Sequence, residues 1–149
     1  MRLILTLLCR NEIDIIESMI RFHLGHGVDF IVATDNSSND GTRDCLMQYV
    51  QSGKLLLIDQ PESTHDQAVW VSAMAQIATE QLAADWLIHS DADEFWWPLN
   101  GNLKTTLQAV PAGIQALTVG RTNFLPPPRD CFPEGRDTGC FHQRRSRRS

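Results

Sequence analysis

Lysine is nearly absent from this chain: Lys54 and Lys104 are the two lysines among its 149 residues. No GxGxxG and no GxxxxGKS/T pattern occurs, which excludes a Rossmann dinucleotide fingerprint and a P-loop. The four cysteines form no CxxC pair, so buried, reduced thiols are expected rather than a disulfide framework. A phosphate-bearing ligand would therefore need a local cation or backbone amides.

Long apolar runs are also missing. The first run, residues 3–9, leads directly into the charged segment RNEID without a small-residue cleavage site, so it predicts a buried strand and no transmembrane segment. Residues 1–128 contain 7 lysines and arginines against 15 aspartates and glutamates, a net charge of −8, which argues against nucleic acid as a partner. A cytoplasmic location is expected, with membrane contact at most peripheral.

Strand-like and helix-like segments alternate along the chain. Continuous apolar runs predict strands at 3–9, 30–34, 54–58, 86–90 and 114–120. Apolar residues at helical spacing follow the first strand, and Thr42 is expected to cap the helix after the second. Thr64 and Gln67 form a capping-box pattern before a third helix, whose inward face is expected to include Val69, Ala73 and Met74.

This order indicates an α/β fold. Strands that are apolar throughout are buried on both faces, which predicts a mostly parallel sheet with helices on both faces. Ligands of such sheets bind at the carboxyl ends of the strands. Glu12, Asp35, Asp91 and Asp93 fall at the predicted ends of the first, second and fourth strands.

Carboxylates without a basic phosphate cradle suit a hard divalent cation, Mg²⁺ or Mn²⁺. Such a cation would relieve the repulsion among Asp91, Asp93 and Glu94. It would also stabilise the negative charge that develops on a departing nucleoside diphosphate.

Three segments, in this order, resemble the nucleotide-diphospho-sugar glycosyltransferases of the Rossmann-like GT-A fold. They are CRNEIDIIESMIRFHLGHGVD, TDNSSNDGT and DWLIHSDADEF. Within that fold the chain is most similar to the bacterial glycosyltransferase family 2-like group, whose DxD motif is commonly written D-x-D-E-F. The resemblance covers about residues 2–125, which implies a nucleotide-sugar-binding domain over residues 1–125.

The resemblance implies roles for four residues. Asp35 matches the acidic residue that hydrogen-bonds the nucleotide base, and Glu12 matches a residue beside the nucleotide. Asp91 and Asp93 match the DxD pair, which holds Mn²⁺ or Mg²⁺ and meets the ribose and diphosphate. The implied partners are a nucleotide-diphospho-sugar donor, with a UDP-sugar expected, and a saccharide or other hydroxyl acceptor.

Each role has a structural alternative. Asp35 could instead close an Asx-turn, and Glu12 could be an early helical carboxylate favoured by the helix dipole. Phe95, Trp96 and Trp97 could stack on a sugar or could pack within the protein. None of these alternatives is excluded by the sequence.

The end of the chain departs from the family pattern. Residues 126–149 are rich in proline, glycine and arginine, which predicts an irregular, partly disordered tail, and no motif among Asp130, Glu134 and Asp137 marks a catalytic base. The fold is therefore expected to be short or truncated at this end, which leaves a non-catalytic nucleotide-sugar-binding module as the alternative to an enzyme. If apolar surface is left uncovered there, it favours a homodimer.

Overall fold

The computed structural model describes residues 1–60 and 67–124. Residues Met1–Ala112 form one compact unit, and the chain from Gly113 onward belongs to a second. The capping-box residue Thr64 and the tail at 126–149 lie outside the described residues.

The first unit is built on a four-stranded sheet. The strands are β1 (Leu3–Cys9), β2 (Phe30–Asp35), β3 (Leu55–Asp59) and β4 (Trp86–Asp91). They lie in the order β3-β2-β1-β4, and every neighbouring pair is parallel. The four strands predicted for this unit are confirmed to within one residue at each end.

Helices cover both faces of this sheet, as the continuous apolar strands predicted. The helices are α1 (Ile16–Gly25), α2 (Thr42–Gln51), α3 (Gln67–Gln76), which continues into a π-helical turn (Ile77–Gln81), and α4 (Leu103–Gln108). Leu3, Leu5 and Leu7 face the larger core, which includes residues of α1, α2 and α4. Ile4 and Val32 face a smaller core with Met74 and Ala78.

Two details of the helices differ from the sequence prediction. Gly41 occupies the N-cap of α2 with φ +105°, a conformation that glycine adopts without strain, and Thr42 is the first helical residue. In α3 the buried side chains are Trp70 and Met74, whereas Val69 is 57% exposed and Ala73 is also exposed. This helix is apolar around most of its circumference, so its sequence does not fix which side faces the sheet.

The second unit is described over residues 113–124, and this part contains no helix or strand. The prediction of a fifth strand at 114–120 is therefore wrong. Ile114, Leu117 and Val119 are 46%, 46% and 56% exposed. An apolar run forms a strand when a neighbouring strand accepts its hydrogen bonds, and no such pairing occurs within the described segment.

No helix in residues 1–60 and 67–124 combines the length and the apolar character needed to cross a membrane. Cys9 and Cys45 are buried free thiols, as predicted, and Cys131 and Cys140 lie outside the described residues. Burial, followed by the negative charges of Asp35, Glu12 and Asp40, raises the pKa of Cys9 to about 12, so this thiol stays protonated at neutral pH.

Candidate functional site

The carboxyl end of the sheet brings together residues that are far apart in sequence. In the register of the sheet, Asp35 lies opposite both Cys9 and Asp59, and Asp91 lies opposite Leu8. The strand order reverses between β1 and β4, because β2 and β3 lie on one side of β1 and β4 on the other. Ligands of open α/β sheets bind at such a point, and Asp91 ends the strand that borders it.

The loop after β1 is fixed by the start of α2. The Glu12 amide donates a hydrogen bond to Thr42 Oγ1 at 2.8 Å, and the Ile13 amide donates to an Asp40 carboxylate oxygen at 3.1 Å. The other Asp40 oxygen accepts from the Thr42 hydroxyl at 2.7 Å and from its amide at 3.0 Å. The hydrogen bond from the Thr42 side chain is the largest influence that lowers the pKa of Asp40. Asp40 and Thr42 therefore hold Glu12 in place as well as starting a helix.

A second pair of contacts joins the same loop to the turn after β2. The Asn11 amide donates to Ser38 Oγ, and the Asn39 amide donates to Asn11 Oδ1, both at 2.9 Å. Asn11 itself has φ +57°, a left-handed conformation that asparagine tolerates better than most residues. The loops after β1 and β2 thus form one hydrogen-bonded layer.

Asp35 lies within this layer and is only 2% exposed. Its carboxylate accepts hydrogen bonds from the Ser38 hydroxyl and, at 3.3 Å, from the Ser38 amide. The structural alternative from the sequence, a carboxylate that closes its own turn, is therefore present. Contact of Asp35 with a nucleotide base stays a prediction.

The DADE turn presents its two aspartates to solvent. Asp91 and Asp93 are exposed, whereas Ala92 between them is 4% exposed. Within residues 1–60 and 67–124, neither aspartate side chain makes a hydrogen bond or an ion pair. The Glu94 carboxylate accepts a hydrogen bond from the Asp91 amide at 3.3 Å, and the Glu94 amide donates to the Asp91 carbonyl at 3.1 Å. Glu94 therefore closes the turn that displays the other two carboxylates.

Glu12 lies close enough to this turn to experience its charge. Burial, and then the negative charges of Asp14, Asp93, Asp40 and Asp91, raise the pKa of Glu12 above its ordinary value. The structure thus brings Glu12 and the DxD aspartates together, as predicted from strand ends. It places Asp35 in the neighbouring turn.

The residues present fit a divalent cation in chemistry but do not form a complete cage. Among the described residues, no three His, Cys, Asp or Glu side chains converge as a metal site. Asp91 and Asp93 supply oxygen ligands, and a magnesium ion in an enzyme commonly takes one or two carboxylates with substrate phosphates and water. A cation there would also offset the negative charges of Asp93 and Asp91, which, after burial and Asp14, contribute to the raised pKa of Glu12.

The aromatic segment after the turn divides between core and surface. Trp96 is partly buried against the larger core, whereas Phe95 and Trp97 are 39% and 73% exposed. The Trp96 amide donates to His23 Nε2 at 3.2 Å, and His23 Nδ1 lies 2.8 Å from the Met19 carbonyl. The packing alternative thus holds for Trp96.

Sequence reasoning missed His23. The ring nitrogen that faces the Met19 carbonyl must carry a proton, and the nitrogen that accepts from Trp96 must not, so the ring is neutral. Desolvation accordingly lowers the pKa of His23. The signal in the sequence is His23 four residues after Met19, on the face of α1 that carries buried Ile16 and Ile20.

Known proteins resemble the chain in sequence, through a family model, and in structure. The family model for glycosyltransferase family 92 matches residues 10–125. No curated protein sequence is a significant match. The glycosyltransferase resemblance seen in the three motifs is confirmed at this level, and the narrower family 2-like group stays a prediction.

Solved structures of S. aureus TarS share the fold. TarS 1-349 superposes on 73% of this chain with a TM-score of 0.51 and 17% identity, over 31% of its own length. A second TarS structure has a TM-score of 0.53 and 15% identity, over 73% of this chain and 19% of TarS. The structure of TarS 1-349 in complex with UDP-GlcNAc has a TM-score of 0.51 and 17% identity. It covers 73% of this chain and 30% of the TarS chain.

This chain therefore spans less than a third of the TarS chains. At these identities the likeness shows the fold alone, and it confirms the predicted Rossmann-like GT-A architecture. Since the family model covers most of the sequence, the chain belongs to glycosyltransferase family 92.

Proposed function

We propose that this chain holds the donor site of a glycosyltransferase that moves a sugar from a nucleotide-diphospho-sugar to an acceptor hydroxyl. The observation that carries the proposal is the pair of exposed carboxylates, Asp91 and Asp93, at the strand-order reversal. Burial, and then negative charges that include these two, raise the pKa of Glu12 in the loop after β1. Within residues 1–60 and 67–124 neither aspartate has an ion pair, and exposed carboxylates gathered in this way at a strand end favour a site that is completed by its ligand. Membership of family 92 supports transfer of a sugar.

The residue roles follow the family resemblance and the geometry. Asp93 and Asp91 would hold Mn²⁺ or Mg²⁺, with Asp91 also meeting the ribose and diphosphate, and Glu12 would lie beside the nucleotide. The metal, when bound, would stabilise the charge that develops on the departing diphosphate. Asp35 would meet the base after exchanging one of its hydrogen bonds to Ser38. The roles of Glu12, Asp35, Asp91 and Asp93 are taken from the resemblance to the family 2-like group.

The nucleotide in this proposal is UDP. The solved TarS complex contains UDP-GlcNAc, which supports a UDP-sugar here through the shared fold. The main unit has few cations for a diphosphate: of its two lysines and four arginines, Lys104 is paired with Asp29 and Arg43 with Asp59. A metal ion would therefore carry most of the phosphate contact.

The alternative is a non-catalytic nucleotide-sugar-binding module. It is kept as the alternative because no motif in the sequence marks a catalytic base. The carboxylates Asp130, Glu134 and Asp137 lie outside the described residues. Both candidates bind the donor, and they differ in turnover.

Calorimetric titration of UDP with and without Mn²⁺ tests the donor site. Wild type is expected to bind UDP more tightly with Mn²⁺, and Asp93→Ala is expected to weaken that binding at least about tenfold, the cost of one lost contact to a charged group. Glu80→Ala removes an equal charge from an exposed position on the π-helical turn and should bind as wild type does.

Release of UDP from UDP-GlcNAc on the same samples then separates an enzyme from a module. Metal-dependent binding with turnover supports the transferase, and binding without turnover supports the module. Binding that Asp93→Ala leaves unchanged would show that the DxD pair is not the donor site.

A further inference from the structure

Four aromatic rings meet on the surface beside the DADE turn. Phe22 and His26 of α1 stack at 4.0 Å between ring centroids. Phe22 also contacts Phe95 edge-on at 5.2 Å and Trp97 at 5.3 Å, and His26 lies 5.9 Å from Trp97. We call Phe22, His26, Phe95 and Trp97 the aromatic platform.

Buried residues under the aromatic platform hold it in place. Trp96 packs against the larger core, and its amide is held by His23, which is itself held by the Met19 carbonyl. With Trp96 directed inward, Phe95 and Trp97 on either side of it are directed outward, where both contact Phe22. Because backbone and rings are positioned before any ligand arrives, little entropy is lost when one binds.

The platform lies within reach of the proposed donor site. Trp97 is the fourth residue after Asp93, so their Cα atoms are at most about 14 Å apart, a distance that a short oligosaccharide can bridge. Trp97 and Phe95 are 73% and 39% exposed, whereas Phe22 and His26 are partly buried, so the platform offers two accessible rings on a fixed base. Its occupant must offer an apolar face to the rings and polar groups without negative charge at its edges, because the acidic DADE turn directly precedes Phe95.

Sugars have both properties. Their C–H faces pack on aromatic rings, and their hydroxyl groups donate to carboxylates. Resting on the function proposed above, we propose that the aromatic platform binds the saccharide acceptor by stacking, with Trp97 as its main contact and His23 as the residue that positions it.

Saturation-transfer NMR on the full chain tests the platform without nucleotide. The probes are cellobiose, lactose and chitobiose, each added to wild type, Trp97→Ala, Trp97→Phe and Leu99→Ala. Leu99 is 96% exposed in the same segment and is outside the platform, so Leu99→Ala is the matched control. Trp97→Phe keeps a ring at the same position.

We expect at least one disaccharide to receive saturation at its ring C–H protons from wild type and from Leu99→Ala. Trp97→Ala should weaken this binding about tenfold, and Trp97→Phe by less. No transfer from wild type to any of the three sugars, or equal transfer from Trp97→Ala, would overturn the proposal.

Two further readouts separate other outcomes. UDP titration should be the same for wild type and Trp97→Ala, so loss of sugar binding with intact UDP binding concerns the platform alone. Conversely, a failure of UDP binding in wild type concerns the donor site alone. A dimer by light scattering that Trp97→Ala converts to a monomer would identify a second copy of the chain as the occupant and overturn the proposal.

Discussion

Aspartates at the two ends of the parallel sheet differ in their hydrogen-bond partners. At the amino end, Asp29 precedes β2 and Asp85 precedes β4, and each accepts a backbone hydrogen bond from the start of β1: Leu3 to Asp29 at 2.8 Å and Arg2 to Asp85 at 2.5 Å. Asp29 is also paired with Lys104. These carboxylates hold the first strand in place.

At the carboxyl end the carboxylates fall into two groups. Asp59 pairs with Arg43 through two hydrogen bonds of 2.8 Å, and Asp35 is satisfied by Ser38. Asp91 and Asp93 have no such contacts among the described residues. The comparison indicates which carboxylates stabilise the fold and which are available to a ligand, a distinction that depends on their partners and not on residue type.

The largest expected effect contrasts one aspartate from each end. Asp29→Ala should lower the free energy of unfolding by about 1–3 kcal/mol, because the buried Leu3 amide loses its acceptor and Lys104 loses its partner. Asp93→Ala should change it by about 0.5 kcal/mol or less, as exposed positions do. Urea unfolding of both variants measures the difference, and equal destabilisation would contradict the distinction.

A smaller effect is expected at the layer that supports the carboxyl end. Thr42→Val should lower the free energy of unfolding by about 1–2 kcal/mol, because the Glu12 amide loses the acceptor that this buried hydroxyl provides. If Glu12 lies beside the nucleotide, Thr42→Val should also lower the affinity for UDP. Thr42→Ser keeps the hydroxyl and should behave as wild type, so a similar loss in both variants would point to packing instead.

The smallest expected effect is a difference in pKa shift between Asp29, at the amino end of the sheet, and Glu12, at the carboxyl end. Burial would raise the pKa of Asp29, but hydrogen bonds from Lys104 and Leu3, with the charges of Lys104 and Arg2, lower it overall. This stability is present above the unfolded pKa and is lost as pH falls through the folded one. The pKa of Glu12 is raised, so its contribution has the opposite sign: stability increases as pH falls through the folded pKa toward the unfolded value.

Carboxyl-carbon NMR titration reports both groups. Asp93→Asn should move the pKa of Glu12 back toward its ordinary value and leave Asp29 unchanged. A Glu12 titration that does not respond to Asp93→Asn would show that the two carboxylates do not interact.

The sequence predicted the sheet more accurately than the helix faces. The run at 3–9 is apolar at every position but Thr6, and only a strand buried on both faces explains such a run at that length. In α3, by contrast, Val69 and Trp70 are equally plausible core residues. The choice of Trp70 follows from where the helix meets Ile4 and Val32, which no local pattern records.

In the candidate site, too, some features were predictable from the sequence and others were not. Because carboxyl ends of parallel strands share one edge, the sequence was sufficient to predict that Glu12, Asp91 and Asp93 lie at the same edge of the sheet, where β1 and β4 end side by side. The burial of Asp35 against Ser38, the closure of the DADE turn by Glu94, and the His23 contact with Trp96 were not predictable, since each depends on the exact path of a loop.

By itself, the sequence determined the parallel α/β sheet, its polar carboxyl end and the glycosyltransferase resemblance, because apolar periodicity and residues at strand ends are local properties of the chain. Only the tertiary structure decided which carboxylates are paired and which face solvent, and which of three consecutive aromatic residues is buried. Those outcomes depend on hydrogen bonds and packing between segments far apart in the sequence, such as His23 and Trp96, which are 73 residues apart. The energies of such contacts arise only when the chain folds.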